Sequence, residues 1–203
     1  MQTMRKLTYI ACAWAIFLAA AKAASVVPPT FDQLVTEADT IITGQVTGMH
    51  SEYVAAGVGQ VIKTYITLKV LRTMKGDTTD TITLELLGGQ VNDEVLEISD
   101  MPKFVAGDRE ILFVQNNGQQ FCPLVGMVHG RYRVRHDQQN HRDYVARENG
   151  VPLKNVAEVS SPISHTQMSN SLSAPSALTP SEFEQQILNQ AAQTTSSTHA
   201  LKE

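Results

Sequence analysis

The stretch FDQLVTEADTIITGQVTGMH, residues 31–50, predicts a short amphipathic helix that runs directly into a β-strand. Thr30 and Gln33 have the spacing of a capping box at the start of the helix. The residues from Thr40 to Val46 have β character, with Ile41 and Ile42 at their start. The apolar side chains of the predicted helix share one face: Phe31, Leu34, Val35 and Ala38.

Downstream of this stretch, apolar and polar residues alternate in several short segments. Residues 61–71 and 81–87 alternate in this way, and Ile111–Val114 is the most apolar β segment beyond the N-terminal region. Two more strands are predicted near residues 131–135 and 142–147. Short strands separated by turns, with one leading helix, predict an all-β sandwich or barrel over residues 30–158.

Two segments of this domain are predicted to be exposed. The Gly- and Ala-rich EYVAAGVGQ, residues 52–60, predicts a loop between the first two strands. Arg131, Arg133 and Arg135 alternate with Tyr132 and Val134, which predicts an arginine-rich face of a strand that is either solvated or in contact with an acidic partner.

The N-terminus has the three parts of a secretory signal peptide. Arg5 and Lys6 precede an apolar run over residues 10–21, and Ala21-Lys22-Ala23 is a small-x-small cleavage site. The run is shorter than the roughly 17–25 residues of a transmembrane helix. The sequence therefore predicts a signal peptide over residues 1–23, no stable membrane insertion after cleavage, and a periplasmic or secreted chain. An uncleaved anchor is the alternative.

Charge and cysteine content restrict the possible partners and the source of stability. Cleavage would remove three of the 16 basic residues and none of the 20 acidic residues, leaving a net charge of −7. This balance disfavours nucleic acid as a partner. Cys122 would be the only cysteine left, so no internal disulfide is expected and a buried thiol is predicted.

The C-terminal part changes in composition. Residues 159–179 are rich in Ser, Thr and Pro and predict a linker. Thr179 and Pro180 then start a predicted amphipathic helix over residues 180–193, and residues 194–203 are predicted to be a disordered tail.

Four segments in a fixed order carry a resemblance to a known family: EADTIITGQV, TYITLKVLRTMKG, ITLELLGG and FVAGDREILFV. They resemble exported bacterial proteins of uncharacterised function, and their order is similar to that of netrin-like modules, whose type case is the tissue inhibitor of metalloproteinases. The resemblance implies an OB-type antiparallel β-barrel with a short N-terminal helix and, here, a tethered C-terminal helix. It also implies a protein-binding role.

The inhibitory mechanism of that family does not transfer to this sequence. In the family, an N-terminal cysteine of the mature protein chelates the zinc of the protease, whereas the mature chain here is predicted to start at Ala24. The resemblance therefore supports the fold and a protein-binding role, but it does not supply a set of inhibitory residues.

The sequence leaves three functions open. The first is a non-enzymatic binding module, without a cofactor, whose rim loops contact a protein partner such as a secreted protease; its predicted contacts are Glu52, Tyr53, Gln90, Asn92, Asp93 and Glu94. The second is an envelope assembly protein that docks a partner through Phe183, Ile187 and Leu188. The third is an enzyme that uses a metal at His136 and His141 or a Cys122–His129 pair.

Overall fold

A computed structural model of the protein describes residues 27–163 and 176–200. The predicted signal peptide, residues 164–175 of the predicted linker and residues 201–203 lie outside the described residues. The described chain has two α-helices, α1 (Phe31–Glu37) and α2 (Pro180–Ala200). Its eight strands are β1 (Thr40–Ala56), β2 (Gly59–Lys75), β3 (Thr81–Leu87), β4 (Gly89–Val91), β5 (Glu94–Leu96), β6 (Arg109–Val114), β7 (Arg131–Asp137) and β8 (Arg142–Ala146).

The predicted capping box starts α1. The Thr30 hydroxyl accepts a hydrogen bond from the Gln33 amide at 3.1 Å, and the Thr30 amide donates to Gln33 Oε1 at 2.8 Å. Both bonds satisfy amides that the first turn of a helix leaves without a partner. Leu34 and Val35 then turn inward and are fully buried.

Six strands form one antiparallel sheet in the order β3-β2-β1-β6-β7-β8, while β4 and β5 form a separate two-stranded ribbon. The mostly β fold predicted from the sequence is therefore confirmed. β1 has register irregularities near Ile41, Thr43 and Val46. Because such bulges bend a strand and increase its twist, they allow this long sheet to curl.

The predicted loop at residues 52–60 is wrong. β1 and β2 continue through most of this segment as one long hairpin, with Ala56 opposite Gly59. Gly57 has φ of 58°, a value that favours glycine in a tight turn. The outer part of the hairpin is largely exposed, so its side chains show no apolar alternation from which a strand could be predicted.

Each face of the sheet has its own apolar core. On the face covered by the helices, here called the helix face, Ile111 and Phe113 pack with α1 and α2. On the opposite face, here called the inner face, Leu112 and Val114 pack with Cys122 and other apolar residues. The second part of β6, Ile111–Val114, is therefore buried on both sides, which explains why this part of its sequence is continuously apolar.

Helix α2 packs against its own sheet. Phe183 and Ile187 are fully buried in the helix-face core, and Leu188 packs against the same core. The Phe183 ring lies 4.9 Å from Tyr132 and 6.0 Å from Phe31, measured between centroids. The helix continues to Ala200, beyond residue 193, where the sequence predicts its end.

Both edges of the sheet are covered by other parts of the chain. At the β3 edge, the Asn117 side chain accepts from the Glu85 amide at 3.1 Å and donates to the Thr83 carbonyl at 2.7 Å. The Leu87 amide donates to the Phe121 carbonyl at 2.8 Å. At the β8 edge, the Val145 amide donates to the Leu178 carbonyl at 2.8 Å.

The described strands do not close into a barrel, because β3 and β8 are the two ends of the sheet order. The β3 edge instead contacts the β6–β7 connection, which carries Asn117 and Phe121. The sheet is thus curled around its inner-face core, and the OB-type closure remains a prediction.

Candidate functional site

The β4–β5 ribbon folds over the inner face of the β1–β2 hairpin. Gly88 and Gly89, with φ of 98° and 135°, make this turn. A Cβ on Gly89 would lie 2.1 Å from Thr64 Oγ1 and 2.5 Å from Ser51 Oγ, so only glycine fits between the ribbon and the sheet. The Thr64 hydroxyl holds the turn by donating to the Gly88 carbonyl at 2.6 Å.

An apolar pocket of about 360 Å³ lies between the sheet on one side and the ribbon with the segment that follows it on the other. Its size falls near the lower end of the range for ligand sites in proteins, roughly 300–1,000 Å³. The sheet side of the pocket is formed by Met49, Thr64, Ile66, Leu86 and Leu87. The opposite side is formed by Val95, Leu96, Ile98, Met101, Pro102 and Phe104.

Exposed apolar side chains lie at the mouth of this pocket. Met49 is 44% exposed and Val95 is 64% exposed, although both line the cavity. Nearby, Tyr53 lies beside Glu94. Solvated apolar groups next to a preformed pocket are typical of a binding surface, because covering them removes apolar area from water.

The wall of the pocket is fixed by a buried arginine. Arg131 on β7 is fully buried, and its guanidinium lies 4.3 Å from the centre of the Phe104 ring. Arg131 Nη1 also donates to the Lys103 carbonyl at 2.9 Å. The prediction of a solvated face is therefore wrong for Arg131, because two carboxylates and an aromatic ring replace its hydration shell.

The two carboxylates are those of Glu110 and Glu148. Arg131 Nη2 lies 2.7 Å from Glu110 Oε1, and Nη1 lies 2.8 Å from Glu148 Oε2. Burial raises the pKa of both carboxyl groups above their ordinary value, and Arg131 opposes this rise. The ion-paired cluster joins the wall of the pocket to β6, in the middle of the sheet.

Most of the predicted partner contacts lie together on the ribbon side of the sheet. Gln90, Asn92, Asp93 and Glu94 belong to the ribbon or its turn, and Gln90 Nε2 donates to the Asn92 carbonyl at 3.0 Å. Tyr53 lies next to these residues, because its side chain interacts with that of Glu94.

Glu52 lies apart from these residues. It pairs in register with Lys63, and its side chain interacts with Tyr65 on the face of the hairpin opposite the ribbon. Neighbouring strand residues point to opposite faces of a sheet, which separates Glu52 from Tyr53.

The two histidines of the metal hypothesis flank a surface hollow near the start of α2. His136 Nδ1 lies 2.9 Å from Asp143 Oδ1, and the other oxygen of Asp143 accepts from Arg109 at 2.6 Å. The hydrogen bond with His136 is the main cause that lowers the pKa of Asp143, and the hydrogen bond from Arg109 lowers it further. Among residues 27–163 and 176–200, no three His, Cys, Asp or Glu side chains are grouped so that they could hold a metal ion.

The two residues of the thiol hypothesis lie in different surroundings. Cys122 belongs to the inner-face core, and burial raises its pKa to about 11, so the unreactive thiol dominates at neutral pH. His129 lies in a 3-10 helix, Met127–Gly130, where burial and then Arg147 lower its pKa.

No protein-family model and no curated protein matches the sequence. The resemblance to netrin-like modules thus remains a prediction from short motifs. Within the described residues, no helix is both long enough and apolar enough to cross a membrane.

Sequence reasoning placed a partner-binding rim loop at the residues that form the ribbon, and it missed both the strand pairing and the pocket beneath the ribbon. Its lining comes from separate segments, including Met49, Leu86 and Phe104, and strand periodicity alone does not show that they meet. The glycine pair Gly88-Gly89 was the available signal, since adjacent glycines commonly mark a close approach of two backbones.

Proposed function

We propose that this chain is an exported, non-enzymatic binding module that holds a protein partner at the pocket beneath the β4–β5 ribbon. The observation that carries the proposal is the preformed apolar pocket, together with the exposed Met49 and Val95 at its mouth. A secreted protease is the class of partner that the resemblance to netrin-like modules favours. Export follows from the predicted signal peptide over residues 1–23.

The proposed fold is an OB-type, netrin-like barrel. Support comes from the curl of the sheet, in which the β3 edge is hydrogen-bonded to the connection that follows β6. The covered inner-face core and the helix packed against the outside of the sheet fit the same architecture. In this arrangement the ribbon lies at one rim of the barrel, where recognition on a rigid scaffold is common.

The pocket suits a single large apolar side chain from the partner. Full burial of such a side chain contributes about 1.5–3 kcal/mol, and the most important residues of an interface commonly fill pockets of this kind. The pocket wall is held by Arg131, so little ordering of the wall is needed when the partner binds.

The test uses the predicted mature chain, residues 24–203, immobilised and exposed to native periplasmic or secreted extract. We expect Val95→Lys and Met49→Lys to lose the bound protein, because each places a charge at the pocket mouth. Leu71→Lys is the matched control, since Leu71 is 47% exposed but does not line this pocket. Circular dichroism checks that all variants fold.

The proposal requires one stoichiometric partner that the wild type and the control variant retain and both mouth variants lose. If the mouth variants capture the same protein in the same amount, the pocket does not bind the partner and the proposal is wrong.

A further inference from the structure

We infer that the partner presents a bulky apolar side chain flanked by lysine or arginine residues. This inference rests on the proposed function and deepens it. The pocket supplies the site for the apolar group, and the distribution of charge around its mouth selects the flanking residues.

The ribbon and the segment that follows it, which supply one side of the mouth, are acidic. Between Gly88 and Lys103 the chain contains four exposed acidic residues and one basic residue, Lys103. Lys103 Nζ lies 3.3 Å from Glu97 Oε1, so the single cation is already paired with one of these carboxylates. The acidic residues are Asp93, Glu94, Glu97 and Asp100, of which Glu97 lines the pocket itself.

The other side of the mouth does not offset this charge. It is formed by Met49 and Thr64, which are uncharged. The lysine next to Thr64, Lys63, pairs with Glu85 at 3.1 Å, and strand alternation places it on the opposite face of the sheet. An approaching segment therefore meets an apolar opening with a net negative rim.

Such a rim attracts a basic segment and repels an acidic one. Charged rims act mainly on association rate and partner choice, while the buried apolar anchor supplies most of the affinity. A protein segment with both features is complementary to this surface, and a small apolar molecule would leave the rim charges without a role.

The experiment uses three synthetic peptides that carry a fluorophore: KKGFGKK, EEGFGEE and KKGAGKK. Fluorescence anisotropy measures their binding to the mature chain at low and at high salt. We expect KKGFGKK to bind at least about tenfold more tightly than each of the other two peptides. Its affinity should fall as salt is raised, because exposed charges are screened.

Rim variants separate the role of charge from that of the pocket. In the triple variant Asp93→Asn/Glu94→Gln/Glu97→Gln, we expect the affinity for KKGFGKK to fall by about two- to fivefold for each charge removed. The matched control is Asp77→Asn/Asp80→Asn, two exposed acidic residues in the β2–β3 turn. The control should bind KKGFGKK as the wild type does.

The outcomes distinguish this inference from the function on which it rests. Equal binding of KKGFGKK and EEGFGEE, lost in Val95→Lys, would refute the charge selection but leave the pocket as the binding site. If neither phenylalanine peptide binds and Val95→Lys still captures the partner from extract, both proposals fail.

Two other occupants are tested in parallel. Stoichiometric binding of a neutral naphthylamine fluorophore that no peptide displaces would make this a small-molecule pocket and overturn the inference. Self-association in analytical ultracentrifugation that Val95→Lys abolishes would identify a second copy of the chain as the occupant, with the same consequence.

Discussion

Arg131 is a charged residue in the interior of the protein, where most side chains are apolar. Its guanidinium is neutralised by Glu110, which is itself fully buried, and by Glu148, which is partly exposed. A buried ion pair of this kind adds little net stability, since both ions lose their hydration. The role of the ion pair is to position the pocket wall, because the same guanidinium holds Lys103 and Phe104 there.

Removing one member of this pair is expected to be costly. Arg131→Met leaves Glu110 buried without its cation, and we expect the free energy of unfolding to fall by about 3–5 kcal/mol. Urea denaturation monitored by circular dichroism measures the change. Arg135→Met is the control, because Arg135 is more exposed and lies 3.9 Å from its closest carboxylate.

The double variant Arg131→Met/Glu110→Leu tests the mechanism. It removes both buried charges, so we expect it to be more stable than Arg131→Met alone. If the single variant costs no more than the Arg135 control, the cluster does not have the role assigned to it.

The sheet edges illustrate how a single side chain completes a secondary-structure element. The Asn117 amide accepts from the Glu85 N–H and donates to the Thr83 carbonyl, as a peptide group of a neighbouring strand would. Edge strands with free backbone groups promote pairing with other chains. Asn117 therefore occupies the position of the missing strand at the β3 edge.

Asn117→Ala should uncover this edge. Two hydrogen bonds are lost at a partly buried site, and we expect the free energy of unfolding to fall by about 1–2 kcal/mol. Amide hydrogen exchange should accelerate at Glu85 in particular. Gln119→Ala, at an exposed position in the same connection, is the control and should change neither quantity; unchanged exchange at Glu85 in Asn117→Ala would contradict the role of Asn117.

For the fold as a whole, the sequence predicted those helices and strands that are marked by the local spacing of apolar and capping residues. It identified the helix at Thr30, the strand character of Ile111–Val114 and the helix that starts at Pro180, because local spacing determines each. It missed the outer part of the β1–β2 hairpin, where both faces are solvated. It also misplaced Arg131, whose burial depends on Glu110 and Glu148, residues distant in sequence.

The assembly of the core depends on the C-terminal helix. Phe183→Ala removes a ring that contacts Phe31, Phe113 and Tyr132, and we expect the free energy of unfolding to fall by about 3–5 kcal/mol. Chemical denaturation measures it, with the exposed Gln185→Ala on the same helix as the control. A loss below about 1 kcal/mol would mean that α2 adds little to the core.

The position of α2 in the chain has a consequence for biosynthesis. All eight described strands precede it, so the ribosome completes the sheet before it has made Phe183 and Ile187. During that interval α1 can already pack on this face, but the surfaces of Phe113 and Tyr132 that Phe183 contacts have no cover. The nascent polypeptide therefore exposes an apolar surface until α2 has been synthesised, and a transiently exposed surface of this kind is prone to aggregation and is a target for chaperones.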